Sequence, residues 1–326
     1  SEEVNQSGAL YNGKEKGRIY KITPKNSTKN QKRLNKLAIG KQSPEKWAAL
    51  LDHANGWFRQ TAQRLLFQHT GEFPTDALKN ILVNAKNSEA KVPALWLLYD
   101  KGFVTEEILI QLLKDNTAGV RENAVKVAEL YVRDGNILSE KLTQTLFALK
   151  NDSDAKVRYQ LLCTTGFLPN ASLISNEILK QDIEDPWVGI AAIAAHANKE
   201  EELIDSAITK FANDNSASTA AFFDMLAARI ANAKNHTALE KIIHFKNSTW
   251  WQSPALSGIN QLWQYKSPTI VLNENDKNAL IDLINNSKRP QLVKEAITLL
   301  GITGFPMGRK TDEIVEEYFW ALPCSV

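Results

Sequence analysis

Cysteine and methionine are scarce, with two of each in 326 residues. Cys163 and Cys324 lie too far apart in sequence for a pairing to be inferred. Neither belongs to C-x-x-C or C-x-x-C-H, so the chain carries no redox pair and no covalent haem attachment. A run of about 18 apolar residues, which a membrane-crossing helix needs, is missing. So are the catalytic signatures: no G-x-S-x-G for a serine nucleophile, no G-x-x-x-x-G-K for phosphate, no H-E-x-x-H for zinc. Cys163 lies in the apolar run YQLLCTTGFL, where a buried, inert thiol is expected. NDSD and NDNS lack the ordered spacing of a calcium loop and read as turns. No catalytic constellation is read in this chain.

A dominant charge is also missing, with 39 Lys and Arg against 37 Asp and Glu. The balance is uneven along the chain. Residues 1–42 hold ten basic and three acidic side chains, a formal +7, which leaves −5 for the remainder. A near-neutral body argues against a dedicated nucleic-acid binder, and the basic stretch reads as a solvated linker. The start, SEEVNQSGALYNGKEKGRIYK, has no apolar h-region and is not a signal peptide. It reads as a chain cut from something longer, and the final PCSV reads as an arbitrary stop.

What the sequence does hold is 43% apolar residues arranged with a helical period. From Ser43 onward the pattern is helix, short polar turn, helix. In SPEKWAALL, Ser43 can cap, Pro44 suits the first helical position and Glu45 complements the helix dipole. Similar starts stand at Thr75-Asp76, Thr105-Glu106, Ser139-Glu140 and Thr311-Asp312. Second helices of successive pairs begin near Phe58, Val92, Val120, Val157, Val188, Ala220, Ala255 and Leu292, at steps of 28 to 37 residues. In one of them, Val120, Ala124, Val127, Ala128 and Tyr131 fall on one apolar face. Two-helix repeats of this length predict an all-α fold, a solenoid of about eight helical hairpins. Tyr318, Phe319 and Trp320 are expected to close the last of them.

The turn before several second helices carries an acidic residue, and the helix carries an arginine just inside. Asp52 precedes Arg59, Asp115 precedes Arg121, and Asp152 or Asp154 precedes Arg158. These read as a structural ladder of hydrogen bonds within and between repeats.

Asp115, Val120 and Arg121 with NAVKVAEL resemble HEAT repeats. GRIYKITP (Gly17 to Pro24), the basic linker and SPEKWAALLDHANGWFRQTAQRLL together resemble one junction in a family of large bacterial proteins. Those proteins join an N-terminal β-propeller, a HEAT-like region and often a C-terminal cytochrome c module. They are labelled membrane-bound dehydrogenases or haem-binding propeller proteins. The specific match covers about 50 residues, Gly17 to Leu66. The resemblance implies a short N-terminal extended segment, with residues 1–42 as a propeller-strand remnant and linker and 43–326 as the HEAT-like solenoid. It further implies a periplasmic or exported location, and dehydrogenase activity and haem c that reside in other modules. No cofactor is expected in this chain.

Candidate sites are few. Trp57 and Phe58, at the open end of the first repeat, and Trp250 and Trp251, between two helices, are candidates for partner binding. Trp187, Trp96 and Trp263 are expected in the core. His236, Glu240 and His244, spaced i, i+4, i+8, are the most metal-like group. Ligands at i and i+8 stand about 12 Å apart along a helix axis, too far for one ion to reach all three. The reading that follows is a non-catalytic scaffold for a protein partner, such as a β-propeller and a cytochrome c module. The alternative is a nucleic-acid-binding or nucleic-acid-modifying HEAT-like protein with a basic groove.

Overall fold

The computed structural model describes residues 38–245, 249–268 and 270–307. The expected propeller strand, the C-terminal start at Thr311, and Tyr318 to Trp320 lie outside the described residues. Within them the fold is all-α, with sixteen α-helices and no strand among the described residues.

In chain order the helices are α1 (Pro44–Leu50), α2 (Gly56–Gln68), α3 (Thr75–Asn84), α4 (Lys91–Asp100), α5 (Glu106–Leu112) and α6 (Ala118–Arg133). Next come α7 (Glu140–Ala148), α8 (Ala155–Thr165), α9 (Ser172–Asp182), α10 (Pro186–Ala195) and α11 (Glu200–Lys210). The last are α12 (Ala217–Asn232), α13 (His236–Ile243), α14 (Gln252–Tyr265), α15 (Glu274–Asn286) and α16 (Pro290–Thr303). Their starts follow local chemistry. Pro44, Pro186 and Pro290 occupy first helical positions, where a missing N–H costs nothing. Asn55, Ser139, Asp154, Asp185 and Ser216 cap with side-chain oxygens that accept first-turn amides. Thr75 is an exception, since it is already helical and Pro74 takes the cap position.

Each even-numbered helix packs on the next even-numbered one, from α2 through α16. Odd-numbered helices meet in the same way at α1–α3, α5–α7, α9–α11, α11–α13 and α13–α15. Apolar side chains between the two rows are buried. Phe58, Ala62 and Leu66 serve α2, and Val120, Ala124, Val127 and Ala128 serve α6. Ile39, expected in the solvated linker, is buried as well. It begins a 3₁₀ turn, Ile39–Lys41, and Trp47 donates its indole N–H to the Ile39 carbonyl at 2.6 Å.

The two halves of the stack are held differently. Between α11 and α14 the core is aromatic: Phe211, Phe222, Phe223, Phe245, Trp250 and Trp251 form a chain of ring contacts, with centroids 5.0 to 6.1 Å apart. Here α12 and α14 approach very closely. A Cβ at Gly258 would lie 2.0 Å from the Asp224 carbonyl oxygen, so only glycine permits this crossing. No helix among the described residues is long and apolar enough to cross a membrane.

Candidate functional site

The Asp and Arg residues of the turns form an ordered row, in which each arginine bonds a backbone carbonyl of its own turn and a carboxylate farther along the chain. At the start of α6, the Thr117 amide donates to Asp115 Oδ1 at 2.8 Å. Asp154, which caps α8, donates its amide to Asp152 Oδ1 at 2.9 Å. Four residues inside each cap stands a cation that reaches back and across. Arg121 donates through Nη1 to the Asp115 carbonyl at 2.8 Å, and through Nε and Nη2 to both oxygens of Asp152, each at 2.7 Å. Arg158 repeats this with the Asp152 carbonyl at 2.6 Å and with both Asp182 oxygens at 2.7 and 2.6 Å. Lys91 pairs with Asp115 at 2.6 Å, and Arg59 pairs with Glu89 while donating to the His53 and Ala54 carbonyls.

One expected pairing is thereby corrected, and the open choice before Arg158 is resolved. Asp52 does not bind Arg59; it accepts the amides of Lys86 and Asn87 at 2.9 and 2.8 Å, in the turn before α4. Of the two aspartates before Arg158, Asp152 supplies its carbonyl and Asp154 caps α8 through the Lys156 amide. An arginine spans about 6 Å from Cα to fork, enough to reach the next turn, and the planar fork matches a carboxylate there. The row stops at α10, because Gly189 occupies the position of Arg121 and Arg158.

Burial pushes the carboxyls of Asp52, Asp115 and Asp152 up, but hydrogen bonds outweigh it and leave all three below the ordinary Asp value. The opposing donors are the Lys86 and Asn87 amides for Asp52, Lys91 and the Thr117 amide for Asp115, and Arg121 and the Asp154 amide for Asp152. A carboxyl lowered on folding contributes stability that is fully present above its unfolded value, near pH 4. That contribution is lost as pH falls through the lower folded value. Thermal melts are therefore expected to hold from pH 6 to about pH 4.5 and to drop steeply below. Asp152→Asn is expected to flatten the acid limb, and an unchanged limb would contradict this assignment.

The aromatic candidates divide by burial. Trp57 is 57% exposed and stands over a groove of about 590 Å³ lined by Ile39, Thr61, Arg64 and Leu65. Phe58 is buried beneath it and Trp251 is 1% exposed, so neither is available to a partner. Trp250 is half-buried, with its indole N–H donated to the Phe211 and Ala212 carbonyls. Trp187, expected in the core, is 63% exposed. Asp185 caps α10 through the Trp187 amide, so Val188, three residues past the cap, holds the core position that Phe58, Val120 and Val157 hold in their helices, and Trp187 stands one residue short of it. Trp263 is buried and Trp96 half-buried, the latter donating to Asn123 Oδ1 at 2.9 Å. Burial pushes the Cys163 thiol up, away from the reactive thiolate.

The histidine cluster has a member that sequence spacing does not show. His236 Nε2 donates to Asp276 Oδ2 at 3.1 Å, and His244 Nε2 donates to Asp276 Oδ1 at 2.9 Å. His236 Nδ1 also lies 3.5 Å from Glu240. Asp276 is fully buried near the start of α15, where it forms a reciprocal capping box with Asn273. The group that could hold an ion is His236, Glu240 and Asp276, not His236, Glu240 and His244. NENDK carries the capping-box spacing, but nothing in it points to a histidine about 40 residues earlier.

No protein-family model and no curated protein matches this chain.

Proposed function

We propose that this chain is a non-catalytic scaffold: a HEAT-like α-solenoid of about eight helical hairpins that holds a protein partner. One observation carries the reading. A cation in the first turns of a second helix binds a carboxylate that lies just before the next second helix, and this recurs as Arg59–Glu89, Lys91–Asp115, Arg121–Asp152 and Arg158–Asp182. Such a bond fixes each helix pair against the next and contributes no reactive group, which is the part of a repeat frame. The junction residues Gly17 to Leu66 add the context of a larger exported protein with a propeller and a cytochrome c module. Haem c and any dehydrogenase chemistry would then belong to those modules. Trp57, exposed at the first helix pair, is the side chain placed to receive the partner.

The chain used as bait in a periplasmic extract of its source organism is expected to retain a β-propeller protein or a haem-staining protein. Trp57→Ala is expected to keep the melting temperature, because the ring is largely solvated, and to reduce that retention at least about fivefold, the loss of one aromatic anchor. Equal retention by the variant removes Trp57 from the interface. Capture of nucleic acid that salt washes away would replace the scaffold with the basic-groove reading.

A further inference from the structure

His236 and Glu240 stand one turn apart on α13 and project from the same side. Asp276 reaches that side from α15, and its carboxylate is held in place at both oxygens. The Asn273 amide donates to Oδ2 at 3.0 Å, and His244 donates to Oδ1 at 2.9 Å. The other two side chains remain free to adjust, at 37% exposed for His236 and 41% for Glu240. One ligand atom from each of the three lies within 4.8 Å of the other two.

A tetrahedral ion with bonds of about 2.0–2.2 Å needs its ligand atoms about 3.4 Å apart. Rotation of the His236 ring out of its hydrogen bond to Asp276 and a swing of Glu240 would bring the three ligand atoms to that spacing while Asp276 stays fixed. Imidazole with two carboxylates is a donor set that zinc accepts, and the solvent side leaves a fourth position for water. The local field favours a cation. Two carboxylates face the site, while Lys241 on the same helix is engaged with Asp205 and Lys277 with Glu274. His244 supplies the hydrogen bond to the distal carboxylate oxygen that orients metal-binding carboxylates.

We infer that His236, Glu240 and Asp276 form a divalent transition-metal site, with zinc as the fitting ion and water completing the shell. The ion joins α13 to α15 across 40 residues of chain. The site is independent of the scaffold reading.

The test uses the full chain, stripped of metal and titrated with zinc against a chromophoric chelator. One zinc per chain is expected, with a raised melting temperature. Glu240→Gln and His236→Gln, both at partly exposed positions, are each expected to weaken zinc on the order of tenfold or more while melting like the wild type without metal. Cobalt(II) in place of zinc is expected to give the intense visible bands of a four-coordinate ion. Zinc bound equally well by both variants places it elsewhere and overturns the inference. A cobalt spectrum of the hydrated six-coordinate ion also overturns it and leaves a hydrogen-bonded cluster alone.

Discussion

Gly258→Ala is expected to destabilise the fold by about 3 kcal/mol or more, for the addition of one methyl group. The new Cβ would lie 2.0 Å from the Asp224 oxygen, 2.7 Å from its carbonyl carbon and 3.0 Å from its Cα. All three are backbone atoms inside α12, so no rotamer change relieves the overlap. The helices have to separate, and the aromatic core of Phe222, Phe223 and Trp251 beside them loses its fit. Gly301→Ala is the matched control, because a Cβ there meets nothing within 4 Å. It is expected to raise stability by up to about 1 kcal/mol through helix propensity. Urea unfolding of the two variants measures both effects. Equal midpoints would mean that α12 and α14 do not cross this closely in solution.

Arg158→Ala is expected to cost about 2–3 kcal/mol, less than a fully buried ion pair because water still reaches the edge of this one. The side chains of Arg158 and Asp182 are 10% and 16% exposed. Truncation leaves the Asp182 carboxylate without its fork and the Asp152 carbonyl without a donor. Arg158→Lys is expected to recover only part of the loss, since one ammonium cannot serve both carboxylate oxygens and a carbonyl behind it. A double-mutant cycle with Asp182→Ala separates the pair from the packing of the arginine stem. A coupling near zero would reduce the row to surface decoration.

Helix positions were largely legible in the sequence. Each of the eight expected starting points, from Phe58 to Leu292, lies within the first few residues of an even-numbered helix. Caps, prolines and apolar period are local signals, and they act within one turn. Pairings were less legible for the same reason. Asp52 and Arg59 are neighbours in sequence, but the aspartate serves amides 34 and 35 residues on, and the arginine serves Glu89. Asp276 joined the histidines only through the packing of α13 on α15. Trp187 shows a finer failure. One residue of register at a cap decides which neighbour faces inward, and the Asp185 cap sends Val188 in and the tryptophan out.

The end of the cation row at Gly189 bears on how such a chain could have grown. Arg121 and Arg158 each ask for only two things: a carbonyl in their own turn and a carboxylate farther along the chain. A duplicated stretch of gene brings both with it, so a copied helix pair arrives already fitted to its neighbours. Past Gly189 the contacts are particular to each site, as where the backbone of Asp224 fills the space beside Gly258. A copy inserted there would meet a surface shaped for something else. A copied helix pair would therefore fit its neighbours along the cation row and clash beside Gly258.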